Sequence, residues 1–388
     1  MTAEAVISGW CEPSFGAVRS EFTANFRDRG ELGGAVCVSV RGRVVANLWG
    51  GWRDAAGRQP WTADTLVNVF SVGKGLLAAC AARLVGEGRL DPDAAVARYW
   101  PEFAVAGKAA VTVRELLSHQ AAVPAIREPL PAGSMLDWPL MTRVLAAEAP
   151  WWPPGAGHGY HVNTFGFAVG ELIRRITGMT PGQLLAREVA GPLGADVHIG
   201  LAVAEHSRIA DFVWSDREAP RAVRSDADPA AAAADQMALL AYANPPDFSG
   251  LGVVNTVAWR TAEIPSANAH ASAAGVARFY AALAAGGSLD GCRVVDATAL
   301  AEATEEQVCG ADLVLHRPSR FGLGFQLTQA ERPLGRGPRC FGHFGAGGSV
   351  GFCDPDTGLA VGYVTSQMGP RWRNPRNQAL MDASYAGV

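Results

Sequence analysis

The chain has 388 residues, 49% of them hydrophobic and 18% charged, with a formal net charge of −4. That size and apolar content support a large core, arranged as two lobes or as one large domain carrying an insertion. The mild charge, with no basic stripe interleaved with aromatics, argues against nucleic acid as a partner.

The opening Met-Thr-Ala-Glu-Ala-Val-Ile-Ser-Gly-Trp lacks a basic region followed by an apolar one, and no stretch approaches about 18 uninterrupted apolar residues. A soluble, cytoplasmic protein with no membrane partner is the expectation. Seven scattered cysteines without a Cys-x-x-Cys, and eight histidines without a His-Glu-x-x-His, suggest neither a disulfide framework nor a metal site. No cofactor is expected.

In chain order, Phe15, Val18, Phe22 and Phe26 give Pro13–Phe26 helical spacing, and the alternating segments Gly34–Val40 and Arg43–Trp49 flank an Arg41-Gly42 turn, as in a hairpin. Leu66–Phe70 reads as a buried strand end and Gly75–Leu84 as a buried helix. Thr112–His119 reads as a short capped helix with His119 as a structural histidine at its end. From Val123 to Pro265 the composition favours helices and long loops, with clear helices at Thr164–Thr177, stopped by Gly178, and from Thr180-Pro181 to about Gly191. Asp226–Leu240, including Ala230–Ala234, reads as a packed helix, and Ser272 caps another that runs through Leu283. Short alternating segments follow at Phe321–Leu327, Cys340–Phe344, Ser349–Cys353 and Leu359–Thr365, before a last helix from about Asn374.

Strands at both ends around a helical middle predict an α/β fold, in which an antiparallel sheet flanked by helices is built from both termini. Residues 1–85 plus 268–388 would form the α/β domain and 86–267 an inserted, mainly helical domain, with the active-site cleft between them.

The stretch Asn68-Val-Phe-Ser-Val-Gly-Lys74 carries the strongest chemical signal. Ser71 falls where a helix begins, so free backbone N–H groups and the positive end of the helix dipole favour a developing negative charge there. Lys74 lies three residues on, on the same helical face, within reach of the Ser71 hydroxyl. Arginine supplies nearly every cation of the chain, and lysine occurs only at Lys74 and Lys108. A lysine sheds its proton when desolvated and a guanidinium does not, so only lysine can share in proton transfer with a serine. The plainer alternative is a capping serine beside a surface cation. Two further stretches could border the cleft: Trp151-Trp-Pro-Pro-Gly-Ala-Gly-His-Gly-Tyr160, and the glycine-rich Gly342-His-Phe-Gly-Ala-Gly-Gly-Ser349. Gly347-Gly-Ser349-Val-Gly351 matches Gly-x-Ser-x-Gly, but strand-like sequence rather than a helix follows it, so Ser349 reads as a chance match.

Ser71-Val-Gly-Lys74, Tyr160 and His343-Phe-Gly345, in this order, resemble the serine β-lactamase and penicillin-binding-protein superfamily. Leu116-Leu-Ser-His-Gln120, Trp152-Pro-Pro-Gly155 and Pro192-Leu-Gly-Ala-Asp196 bring the likeness nearer to its class C β-lactamase-like carboxylesterases, the family VIII esterases. The resemblance implies Ser71 as nucleophile, Lys74 and Tyr160 as proton-transfer groups, and the N–H groups of Ser71 and Ala346 as the oxyanion hole. It also implies that His343, Phe344, Gly345 and Trp152 contact substrate. Trp151, and Trp138 or Trp214, are further candidates for the same wall; all could equally be core, and core is the favoured reading for Trp138 and Trp214. Class C β-lactamases carry Tyr-x-Asn, whereas here Val162 holds the third position and Asn163 comes one place late. Their Lys-Thr-Gly is replaced by His343-Phe344-Gly345, which removes two donors for a β-lactam carboxylate. The expectation is therefore a serine carboxylesterase acting on a small-molecule ester. Acyl transfer, an amidase, D-peptidase or weak β-lactamase activity, and a slowly deacylating covalent sensor are the alternatives.

Overall fold

The computed structural model describes residues 6–214 and 229–388, with the backbone alone over 229–234. In chain order the strands are β1 (Ile7–Cys11), β2 (Gly33–Val40), β3 (Arg43–Gly51), β4 (Val67–Asn68), β5 (Val197–Ile199), β6 (Ala269–Ala271), β7 (Ser288–Leu289), β8 (Cys292–Arg293), β9 (Val308–Asp312), β10 (Arg317–Phe321), β11 (Gln326–Leu327), β12 (Phe341–Phe344), β13 (Val350–Asp354) and β14 (Leu359–Thr365). The α-helices are α1 (Gly16–Asp28), α2 (Val72–Gly86), α3 (Val113–Leu117), α4 (Trp138–Ala147), α5 (Thr164–Thr177), α6 (Pro181–Leu184), α7 (Gly191–Leu193), α8 (Pro229–Ala243), α9 (Val257–Thr261), α10 (Ala273–Ala284), α11 (Ala297–Thr304) and α12 (Pro375–Ala383).

Nine strands form one antiparallel sheet in the order β1-β3-β2-β14-β13-β12-β11-β10-β9. The first three strands of the chain thus join its last through β2, with Val36 lying opposite Tyr363 and Val38 opposite Val361. Alternation sends successive side chains to opposite faces, and each face has its own core. On one side Phe15, Val18 and Phe22 of α1 pack with Val36, Val38, Phe344, Phe352, Val361 and Leu380. On the other, Ala35, Cys37 and Phe341 face the buried helices α2 and α10, which join the helical middle of the chain. A small sheet, β4-β6-β5, ties that middle segment to the strand end preceding α2.

Helix boundaries follow the local signals. Thr112 and Glu115 form a reciprocal capping box at α3, as do Thr180 and Gln183 at α6, and Gly178 ends α5 at φ 73°. The segment begun at Thr180 runs past Gly191 through a π turn (Leu185–Ala190) and stops at Gly194, φ 65°. Of the helix expected over 226–240, residues 226–228 lie outside the described residues, and α8 covers the remainder and extends to Ala243.

Candidate active site

Ser71 stands at the junction of β4 and α2. The preceding residue, Phe70, adopts φ 48°, a left-handed conformation that a bulky side chain rarely takes. It is held there by the Val69 N–H donating to Ala269 (2.8 Å) and by the Phe70 ring, edge-on to Phe212 at 4.8 Å. The Ser71 hydroxyl makes no capping bond to α2. It faces the Lys74 Nζ instead, at 3.0 Å.

Gly73, between them, allows this packing, since a Cβ there would lie 2.5 Å from the Pro265 carbonyl oxygen. The 265–269 segment therefore sits close enough for the Ser266 carbonyl to reach Lys74 Nζ at 3.3 Å, while the Val162 carbonyl reaches it at 2.6 Å. Lys74 is fully buried, and among the described residues no carboxylate pairs with it. Desolvation holds its pKa well below the ordinary lysine value, which favours the neutral amine. A neutral amine has two N–H bonds, enough for the two carbonyls, and its lone pair is left for the Ser71 proton.

Tyr160 approaches from the loop before α5. Its ring lies 4.8 Å from Lys74 Nζ and its hydroxyl 3.4 Å from His343 Nε2. Burial raises the phenol pKa well above 10, opposed in part by hydrogen bonding with Ser71, so Tyr160 rests protonated. The loop is pinned by Asp312, whose buried carboxylate accepts the backbone N–H of Tyr160 at 3.0 Å and the Ser319 hydroxyl at 2.7 Å. His158 Nε2–H donates to that hydroxyl at 2.8 Å. His119, at φ 65°, accepts the His161 N–H at 3.2 Å and packs 5.0 Å from the Tyr160 ring, a supporting position against Tyr160.

The residues after β12 bring a second backbone donor beside Ser71. Gly345 presses on the strand end before Ser71, and a Cβ there would meet the Val69 carbonyl oxygen at 2.2 Å. Ala346 follows in a tight turn, and among the described residues neither its N–H nor that of Ser71 donates to another protein group. Two free N–H groups beside one hydroxyl can bind an oxyanion.

The structure does not bring every expected substrate contact to the cavity. His343 and Phe344 are adjacent in β12 and so point to opposite faces. Phe344 is packed in the α1 and α12 core. His343 lies beneath Tyr160, its Nδ1–H donating to the Phe344 carbonyl at 2.7 Å, and burial lowers its pKa to about 3. Gly345 touches the strand end before Ser71 and is not among the described residues that line the cavity onto which Ser71 opens. Trp151 and Trp152 shape the Tyr160 loop, their indole N–H groups donating to Ala125 (2.9 Å) and Gly157 (3.2 Å). Trp138 packs against Phe167 at 5.0 Å, whereas Trp214, expected in the core, borders the cavity. Ser349 is buried, its Oγ accepting the Thr365 N–H at 3.3 Å.

Ser71 and Ala346 open onto a cavity of about 610 Å³. Sequence reasoning missed Tyr242, Leu251, Met368 and Trp372 in its wall, along with Arg371 and His316. These lie in no short motif, and nothing local distinguishes them from core or surface residues. Asn163, one place late for the expected motif, still borders the cavity because it begins α5, and its amide donates to the Ala241 carbonyl and to Ser249 Oγ, each at 3.1 Å.

Comparison with known proteins places this arrangement in context. The family described as Beta-lactamase matches residues 20–385. "Esterase/beta-lactamase LipL" of Mycobacterium tuberculosis (strain ATCC 25618 / H37Rv) is 34% identical over 371 residues, 93% of this chain and 83% of LipL. The crystal structure of a family VIII carboxylesterase superposes with a TM-score of 0.90 at 39% identity, covering 99% of this chain and 100% of the other. A penicillin-binding protein homolog from Caulobacter crescentus gives 0.89 at 40% identity, with the same coverage. Since the family match and these relatives span nearly the whole sequence, and the fold agrees with theirs over its full length, the chain belongs to the β-lactamase family of serine hydrolases.

Proposed function

We propose that this hydrolase is a carboxylesterase working through an acyl-enzyme on Ser71. The observation that carries the reading is the buried Lys74 amine, without a counter-ion among the described residues, its Nζ 3.0 Å from Ser71 Oγ with two carbonyls to take its N–H bonds. Ser71 Oγ bonds to the ester carbonyl carbon while its proton passes to Lys74. The carbonyl oxygen, now negative, is held by the N–H groups of Ser71 and Ala346. When the C–O bond to the alcohol breaks, the proton returns to the leaving oxygen by way of Tyr160, whose raised pKa keeps it a donor. Water then repeats the sequence and frees the acid.

Support for an ester comes from the aromatic and aliphatic wall around Ser71 and from relatives described as esterases. A β-lactam brings a carboxylate that must exchange water for protein donors. Neutral, buried His343 and core-packed Phe344 supply none, and the cation on the described part of the wall is Arg371. Short p-nitrophenyl esters should therefore have the higher kcat/KM, and nitrocefin the lower.

The test is intact mass after a fluorophosphonate probe, followed by peptide mapping, with turnover of p-nitrophenyl butyrate by Ser71→Ala and Ser349→Ala. The adduct is expected on Ser71, with turnover lost in Ser71→Ala and largely kept in Ser349→Ala. An adduct on Ser349 would overturn the assignment, and nitrocefin turned over as well as the ester would replace it with a β-lactamase.

A further inference from the structure

The turn that presents the Ala346 N–H is closed by the Gly345 N–H donating to the Ser349 carbonyl at 2.7 Å. Inside it, Gly347 and Gly348 take φ of +83° and +120°. Glycine adopts such angles without strain, but it brings no side chain to hold the turn in place. The anchoring comes from the start of α12 and the segment before it instead. Asn374 Nδ2 (3.1 Å), Arg376 Nη2 (3.0 Å) and the Gly369 N–H (3.0 Å) all donate to the Gly347 carbonyl, and Asn377 Nδ2 donates to that of Gly348 at 2.8 Å.

Three donors converge on one oxygen that has two lone pairs, more than is needed to satisfy a buried carbonyl. Arg376 is itself fixed. It is 3% exposed, its Nη2 also donates to the Gln367 carbonyl at 2.9 Å, and its Nη1 lies 3.2 Å from the Glu31 carboxylate. Glu31, in the link between α1 and β2, is buried and accepts the hydroxyls of Tyr363 and of Thr365, the latter at 2.6 Å. A chain of hydrogen bonds thus runs from the α1–β2 link through Arg376 to the Gly347 carbonyl, one residue beyond Ala346.

We infer that Arg376 and Asn374 are positioning residues for the oxyanion hole, aiming the Ala346 N–H by pinning the Gly347 carbonyl and anchored in turn by Glu31. The inference rests on the reading of Ser71 and Ala346 as the hole. Neither residue touches substrate, and both act through the backbone of the turn.

Arg376→Ala would strand the Glu31 charge in the core and risk unfolding. The test therefore uses Asn374→Ser, which keeps a helix-capping oxygen but is too short to reach Gly347, and the charge-neutral pair Glu31→Gln with Arg376→Met. In the full-length enzyme, Ser71 is titrated with a fluorophosphonate, and kcat and KM for p-nitrophenyl butyrate are expressed per titrated site. Inhibition by a trifluoromethyl ketone, whose adduct places an oxyanion in the hole, is measured alongside. Both variants should lose about 10- to 100-fold in kcat at unchanged KM, short of the about 10²–10³-fold for outright loss of a donor, and should weaken the ketone by a matching factor. Unchanged kcat per titrated site and unchanged inhibition, with only the active fraction reduced, would overturn the proposal and leave a purely structural brace. Wild-type enzyme that is not labelled at Ser71 would overturn the underlying reading, and this proposal with it.

Discussion

Replacing Gly345 by alanine tests the geometry of the oxyanion hole directly. A Cβ at this position would lie 2.2 Å from the Val69 carbonyl oxygen, where ordinary contact begins near 3.4 Å. The turn or the strand end must therefore retreat by about 1.2 Å, and neither is a flexible side chain that could swing aside. Ala346 follows Gly345 and Ser71 lies two residues after Val69, so the same retreat separates the two N–H donors of the hole. A donor held about 2.9 Å from the oxyanion would fall near 4 Å, beyond hydrogen-bonding range. Losing one such donor costs about 10²–10³ in kcat, or about 2.7–4 kcal/mol of transition-state stabilisation, with KM little changed. Steady-state kinetics with p-nitrophenyl butyrate, normalised to fluorophosphonate-titrated Ser71, measure the loss, and a thermal melt shows whether the fold survives. Gly345→Ala turning over at close to the wild-type rate with an unchanged melting temperature would refute the assignment of Ala346 N–H to the hole.

Lys74→Arg should be nearly as inactive as Lys74→Met, since a guanidinium keeps its proton, and near-normal turnover by Lys74→Arg would leave Lys74 only an electrostatic part. In the wild type, kcat/KM should rise with pH along a limb below 10.5 set by the depressed pKa of Lys74, whereas His343, lowered to about 3, stays neutral at neutral pH and adds no limb there. The same depression means that, between the folded value and 10.5, the unfolded chain binds a proton that the folded one does not. Stability from this group therefore rises with pH, and denaturant titrations at several pH values should show the balance between wild type and Lys74→Met moving toward the wild type as pH increases. Asp312→Ala should free the Tyr160 loop by removing the acceptor of the Tyr160, Val314 and Leu315 N–H groups, lowering kcat and costing about 1–3 kcal/mol per stranded buried group in urea titrations.

Elements whose signals are local were legible before any fold was known. Thr112, Thr180 and Ser272 cap helices because a short side-chain oxygen reaches the N–H three residues on, and Gly178 ends α5 because it takes the left-handed angle cheaply. The approach of Lys74 to Ser71 belongs to the same class, since three residues bring side chains onto one helix face. The opposite facing of His343 and Phe344 was equally readable from the two-residue period of a strand, yet both were assigned to the substrate.

Tertiary structure decided everything that depends on distant segments meeting. Lys74 is desolvated because the carbonyls of Val162 and Ser266 close over it, and no pattern around residue 74 encodes that enclosure. The tryptophans divide between the Tyr160 loop, the core and the cavity wall according to what folds against them, so Trp152 and Trp214 exchange their expected places. Tyr242 and Trp372 border the cavity only because α8 and the segment before α12 converge near Ser71. Periodicity and capping act over a few residues of backbone, whereas burial, pKa and cavity shape are set by which surfaces the whole chain leaves in contact once the sheet built from its two ends has closed.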